Sequence, residues 1–272
     1  MSISKPVRKL VAVGDVHGQF EPFVRLLRHA KLIDEELNWC GGNTRFVQVG
    51  DIIDRGPFSR KVDALLDSLQ KQASLSEGEV IRLVGNHELE LILADYLISE
   101  FKREEAAAMR EKLIAQVQEG SLKAAYAYKD FLFTHAGVTR RLFKIFELQL
   151  EKVSAANLAV LINLIFKESV THEFFKHPIF NISVRRKGPD RFGGIFWEDL
   201  EDIIASFQPC QGSPVWQVIG HTPIDNIVID RALKLIPLDV GMHRKLQYVE
   251  VDDRGIPKIV KVPDSFNAAV AQ

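Results

Sequence analysis

A single α/β domain carrying two helical insertions is the fold class this sequence predicts, on three observations. Short β-rich runs (KLVAVGD, TRFVQVGD, EVIRLVGN) recur through the first ninety residues, each closing on Gly plus Asp or Asn. Between them apolar residues fall at helical spacing, first Phe20, Phe23, Val24 and Leu27, then Val62, Leu65, Leu66 and Leu69. Strand–helix alternation of this length reads as βαβ units around a largely buried sheet. Finally, β-rich runs return near the end of the chain, and no repeat or low-complexity linker divides it. Residues 1–272 are therefore taken as one domain.

In chain order, the loop NWCGGN is a turn signal ahead of the second strand. Residues 89–128 form the first insertion, helical and charge-laced (EFKREEAAAMREKLIAQVQE), with a stop near Gly120. DFLFTHAG returns as a strand. The second insertion, 139–177, carries Leu142, Phe143, Ile145, Phe146, Leu148 and Leu150 and later LAVLINLIF, and ends at His177–Pro178. NISVRRKGPDRFGG is turn-rich and basic. PVWQVIGHT, NIVID and ALKLIPLDVG are read as strands, and LQYVEVDDRGIPKIVKV as a terminal hairpin.

The bulk numbers exclude several classes. With 272 residues, 46% hydrophobic and 26% charged, the chain is an ordinary globular sequence able to bury a core. Its formal charge of −1 gives no field for nucleic acid or an anionic membrane. No 18-residue apolar run and no signal-like leader occur. Cys40 and Cys210 form no CxxC pair, so two free thiols in a reducing, cytoplasmic setting are expected.

Chemistry concentrates where the strands end: GDVHG (14–18), GDIIDRG (50–56), GNHE (85–88), THAG (134–137) and GHT (220–222). The carboxyl ends of strands form the ligand crevice of open α/β sheets. Alone, each piece has a plain structural reading: GDVHG is an Asx-capped turn, and His135 is a strand-end histidine bonded to backbone. Taken together they present Asp15, His17, Asp51, Asn86, His135 and His221, three oxygen donors and three imidazoles. That mixture suits intermediate divalent ions such as Mn, Fe or Zn better than a thiolate zinc or all-oxygen calcium site. Six ligands are too many for one catalytic metal, but suit two metals ~3.5–4 Å apart sharing a carboxylate.

These motifs resemble the phosphoprotein phosphatase branch of the calcineurin-like metallophosphoesterases. Because LDVGMH (238–243) resembles their late Asp-Val-Gly-Met segment, the chain looks most like the bacterial and Shewanella-like protein phosphatases. The resemblance spans residues 14–243 and implies a β-sandwich flanked by helices, an αββα arrangement. It places Asp15, His17 and Asp51 on one metal and Asn86, His135 and His221 on the other, with Asp51 bridging. The implied cofactors are two divalent ions, Mn²⁺ first, with Fe or Zn as alternatives, which together activate a water as the nucleophile. His87 would then protonate the leaving alcohol while Asp54 holds its ring, as expected of a histidine paired with a carboxylate. Arg55 would offer a fork to phosphate oxygens. Glu88 is expected to cap the helix that follows. Among Arg185, Arg186 and Arg191, the last lies nearest the GGIFWEDL segment and is taken as the second phosphate contact.

Three functions compete. The resemblance implies a metal-dependent phosphomonoesterase acting on phosphoserine, phosphothreonine or phosphotyrosine in proteins. Symmetrical dinucleoside polyphosphate hydrolases share GD..xRGP and HAG, but typically carry Ala where Asp54 stands. A catalytically silent scaffold conflicts with retention of all six ligands plus His87, Asp54 and Arg55. The expected substrate is thus a phosphorylated protein or small phosphoester, with no nucleic-acid or membrane partner.

Overall fold

The structure, a computed structural model, describes residues 9–94, 101, 103–146, 153–208 and 212–266. Its first strands show why they carry apolar residues at successive positions near their centres instead of alternating. β1 (Lys9–Val13) sends Leu10 and Ala12 to one face and Val11 and Val13 to the other, and all four are fully buried. β2 (Arg45–Gln48) divides Val47 from Phe46, and β3 (Glu79–Leu83) divides Ile81 and Leu83 from Val80 in the same way. A strand covered on both faces favours apolar residues on both.

Two sheets result. The larger has the order β10-β9-β1-β2-β3-β4. β1, β2, β3 and β4 (Leu122–Lys123) run parallel, while β9 (Gln247–Asp252) and β10 (Pro257–Lys261) form an antiparallel hairpin on its other edge. The smaller has the order β5-β6-β7-β8: β5 (Ala125–Tyr128) is antiparallel to β6 (Phe131–Thr134), and β7 (Trp216–Ile219) and β8 (Leu235–Pro237) continue parallel. Leu10, Val47 and Ile81 of the first sheet share one buried cluster with Phe131, Phe133, Val218 and Ile236 of the second. The period of two along each strand thus builds a sandwich interior on one face and a helix-covered surface on the other.

The helices complete an αββα arrangement. α1 (Phe20–His29) and α2 (Ser59–Ser74) pack side by side, α2 against β3, and α6 (Ala155–Thr171) lies across β5 and β6. α4 (Arg103–Glu119) rests on α3 (Asn86–Ile92) and α6, while α5 (Arg140–Ile145) packs on α7 (Leu200–Phe207). Arg82, fully buried on β3, meets Asp63 of α2 at 2.7 Å and also Asp67, and Lys112 of α4 bonds the same two carboxylates. This charge cluster ties the strand that delivers Asn86 to two helices. Among the described residues no helix is long and apolar enough to cross a membrane.

Two expectations change. Residues 122–128 are strands, not the end of a helical insertion. The Ala-rich AAYAY favours helix locally, but Ala125 pairs with Thr134 and Tyr128 with Phe131 across a tight turn, and tertiary pairing overrides propensity. NIVID is likewise not a strand, and only Asp230 bridges to Leu235. α4 and α6 are covering layers of the core, burying Met109 and Leu113, and Leu158, Ile162 and Phe166. Leu148, Leu150 and Cys210 lie outside the described residues.

Candidate active site

Every motif ends a parallel strand at the same edge of the sandwich. Asp15 and His17 follow β1, Asp51, Asp54 and Arg55 follow β2, and Asn86 and His87 open α3 after β3. His135 follows β6, His221 follows β7, and Asp239 follows β8. The chain turns so sharply here that His17, Asp51, Asp54, Arg55 and His221 all adopt positive φ, between 45° and 65°. Two glycines make room for carboxylates: a Cβ on Gly85 would lie 2.1 Å from Asp51 Oδ1, and one on Gly220 would lie 2.2 Å from Asp15 Oδ1.

The inward-facing atoms are lone pairs. His135 Nδ1 lies 2.9 Å from the Val49 carbonyl oxygen, which can only accept, so this nitrogen carries the proton. Its Nε2 is then bare, yet stands 2.9 Å from Asn86 Oδ1 and 3.2 Å from His221 Nδ1. His221 Nδ1 in turn is 2.8 Å from Asn86 Oδ1. At most one proton serves three acceptors, an arrangement that a cation resolves. His17 repeats the pattern: Nδ1 donates to the Ile53 carbonyl at 2.9 Å, and the buried Nε2, without a hydrogen-bond partner, lies 3.5 Å from Asp51 Oδ2 and 3.9 Å from Asp15 Oδ2. Asp51 Oδ2 is also 3.5 Å from His135 Nε2, and Asp51 belongs to both clusters of candidate ligands.

Electrostatics agree with cation binding. Burial lowers His17 to about 4, and lowers His135 and His221 as well, so these imidazoles are neutral donors near neutral pH. Burial raises Asp15 well above the usual carboxylate range, and the nearby Asp239 and Asp51 add to the shift. Bound positive charge relieves both the crowded carboxylates and the opposed lone pairs.

His87 is held differently. Its Nδ1 is 2.8 Å from Asp54 Oδ2, its backbone N–H donates to Asp51 Oδ1 at 3.0 Å, and Arg55 Nη2 lies 3.2 Å from its Nε2. Burial pushes this imidazole down, but Asp51 and the bond to Asp54 outweigh it and leave the ring above its ordinary value. Glu88 does more than cap α3. Besides accepting from Gly85 N at 2.8 Å, its carboxylate accepts from the backbone of Asp51 at 2.8 Å, Ile52 at 2.9 Å and Ile53 at 3.3 Å. One buried side chain thus fixes the loop carrying Asp51 against the turn carrying Asn86.

A cavity of about 430 Å³ over these residues is lined by Arg55, Asn86, His87, Arg186, Trp197, His221 and Pro223. Arg191 is not at this wall. It is exposed, with its guanidinium 5.1 Å from the centre of the Phe192 ring, and Arg186 takes the place expected of it. A tight turn explains the exchange: Ser183 bridges Asp190, folding 184–189 back, and Arg186 Nη2 is fixed by Asp199 at 2.9 Å and Thr222 Oγ1 at 2.7 Å. Sequence reading also missed Asp239, buried beside Asp15 and Asp51, although LDVG ends a strand in Asp-X-Gly much as the other motifs do. His243 is exposed.

Comparison with known proteins agrees with this geometry. Residues 8–228 match the family described as calcineurin-like phosphoesterase. An 80-residue stretch is 45% identical to Shewanella-like protein phosphatase 1 of Plasmodium berghei (strain Anka), covering 29% of this chain and 22% of that protein. A 92-residue stretch is 41% identical to Shewanella-like protein phosphatase 2 of Arabidopsis thaliana, covering 34% and 23%. The matches therefore span less than a quarter of these relatives' own length. A crystal structure of the cold-active protein-tyrosine phosphatase of a psychrophilic Shewanella species superposes with a TM-score of 0.64 at 20% identity, over 94% of this chain and 81% of that one, and shows the same fold. A family match over most of the chain, together with its strand-end clusters of Asp and His, makes this protein a member of the calcineurin-like phosphoesterases.

Proposed function

We propose that this chain is a metal-dependent phosphomonoesterase whose substrates are phosphorylated polypeptides. The observation that carries this reading is the His87–Asp54 pair beside Arg55: His87 falls in a cluster of candidate ligands with His17 and Asp51, but its Nδ1 meets a carboxylate where those of His17 and His135 donate to backbone carbonyls. Asp15, His17 and Asp51 would hold one divalent ion and Asn86, His135 and His221 a second, with Asp51 shared; Mn²⁺ is the proposed metal, and Fe or Zn suits the same donors. Bound, these ions would neutralise phosphate oxygens and make a water nucleophilic near neutral pH. Arg55 and Arg186, both lining the cavity, would orient the phosphate through charge-assisted hydrogen bonds. Phosphate binding would draw Arg55 off His87 Nε2, freeing that atom to carry the proton delivered to the leaving alcohol, while Asp54 keeps Nδ1 protonated and the ring aligned.

The runner-up, cleavage of symmetrical dinucleoside polyphosphates, needs no orientated acid as strongly, because a nucleotide phosphate is a better leaving group than an alkoxide. The bond to Asp54 favours the phosphomonoester. An assay of the manganese-reconstituted protein on phosphoserine, phosphothreonine and phosphotyrosine peptides alongside diadenosine tetraphosphate decides between them. Phosphopeptides should be turned over with higher kcat/KM, and preference for the nucleotide would sink the proposal.

A further inference from the structure

Three cavities adjoin through shared lining residues, and the proposed chemistry uses the first together with His17 on the wall of the second. The cavity over the ligand cluster shares Arg55 and Pro223 with a second, of about 510 Å³, that runs past His17, Gln19 and Asp239. The second shares Met242, His243 and Arg244 with a third, of about 670 Å³, between α1 and residues 35–37. A phosphoryl group and the side chain bearing it are accommodated in the first. Hydrolysis of a small ester leaves the third without a role.

The third cavity has a definite chemistry. Phe20, Val24, Leu37, Met242 and Leu246 give it apolar walls. Two of its cations are committed internally: Arg25 Nε donates to the Phe266 carbonyl at 2.7 Å, and Arg28 pairs with Glu35 at 3.3 Å. Arg244 and Lys245 also line it and donate to the Ile224 and Asp225 carbonyls at 3.3 and 2.7 Å, and with Glu21, Glu35 and Asp264 among the lining residues its charges are near balance. An apolar side chain suits it best.

We infer that this cleft is the binding track for the polypeptide flanking the phosphorylated residue, and that one apolar substrate side chain seats between Phe20, Leu37 and Met242. The inference rests on the phosphopolypeptide reading above and adds a specificity site to it. A cavity of about 510 Å³ is ~8 Å on a side, which ~2–3 residues of extended chain span at ~3.3 Å each. The apolar residue therefore belongs roughly two to four positions from the phosphorylated one.

Matched phosphopeptides carrying Leu or Ser at each of those positions, on either side of the phosphorylated residue, test this alongside p-nitrophenyl phosphate. One Leu peptide should gain about tenfold in kcat/KM, mostly through KM, as expected from burying one leucine side chain. Leu37→Asn removes the apolar wall while suiting the left-handed backbone at that position, where φ is 65°. This variant should abolish the Leu preference and leave p-nitrophenyl phosphate turnover unchanged, which also shows that it folds. Phosphopeptide hydrolysis with no Leu preference, or a preference that Leu37→Asn leaves intact, overturns the cleft assignment alone. Turnover of p-nitrophenyl phosphate or diadenosine tetraphosphate without any phosphopeptide hydrolysis overturns the substrate reading as well.

Discussion

His87 and His135 are both buried histidines just past a strand of the sandwich, and both have Nδ1 satisfied, yet they are prepared for opposite tasks. The partner of Nδ1 makes the difference. His135 donates to a backbone carbonyl, a neutral acceptor that fixes the tautomer but cannot offset burial, so the ring stays neutral and offers a lone pair. His87 meets the Asp54 carboxylate, which with Asp51 offsets burial and favours the protonated ring. Imidazole position alone would not separate a ligand from an acid, since His87 Nε2 lies only 4.0 Å from Asp51 Oδ2.

The largest effect should come from contrasting the shared carboxylate with the acid. Asp51→Asn should reduce activity to background and empty the site, whereas His87→Asn should cost about 10²–10⁴ in kcat while elemental analysis still finds metal bound. A metal-free His87→Asn protein would collapse the distinction drawn here. Asp54→Asn tests the origin of that distinction. It should retain metal and cost about one to two orders of magnitude less than His87→Asn, with the basic limb of the pH–rate profile moved to lower pH because a charge favouring imidazolium is gone. Smaller again is the contrast of two arginines. Arg186→Ala should raise KM for a small phosphoester by roughly 10–100-fold, the size of a lost hydrogen bond to a charged group, and Arg191→Ala should leave it unchanged.

The smallest effect concerns a carboxyl that has no cation to balance it. Burial raises Glu198 to about 7, and its Oε2 lacks a hydrogen-bond partner. A carboxyl raised on folding binds its proton more tightly in the native state, so stability should fall as pH rises from about 4.5 to about 7 and level off above. Thermal melts of Glu198→Gln across that window should lose this component of the slope. An identical slope in the variant would assign the pH dependence elsewhere.

Much of this candidate site was legible because its proposed ligands sit where strands stop, and β1, β2, β3, β6 and β7 announce themselves by β-rich runs ended by Gly-Asp, Gly-Asn, Thr-His or Gly-His. What escaped depends on chain reversal. Arg186 is five residues farther from Trp197 than Arg191 is, and only the Ser183–Asp190 bridge brings it to the cavity. The reach of Glu88 back to residues 51–53 is likewise invisible in a motif whose local reading is a helix cap. The β4–β5 segment was lost to its alanines, since pairing with β3 and β6 decides the strands there against local helix propensity.

Five functional residues, His17, Asp51, Asp54, Arg55 and His221, enter the site from left-handed backbone, a conformation that costs a non-glycine residue about 1–2 kcal/mol. Glycine or asparagine would relieve that cost at each position. A library of this chain selected only for heat resistance should therefore drift toward Gly and Asn at these five positions, and the most heat-resistant survivors would be among the least active. Thermal selection without an activity screen would erase the active site first.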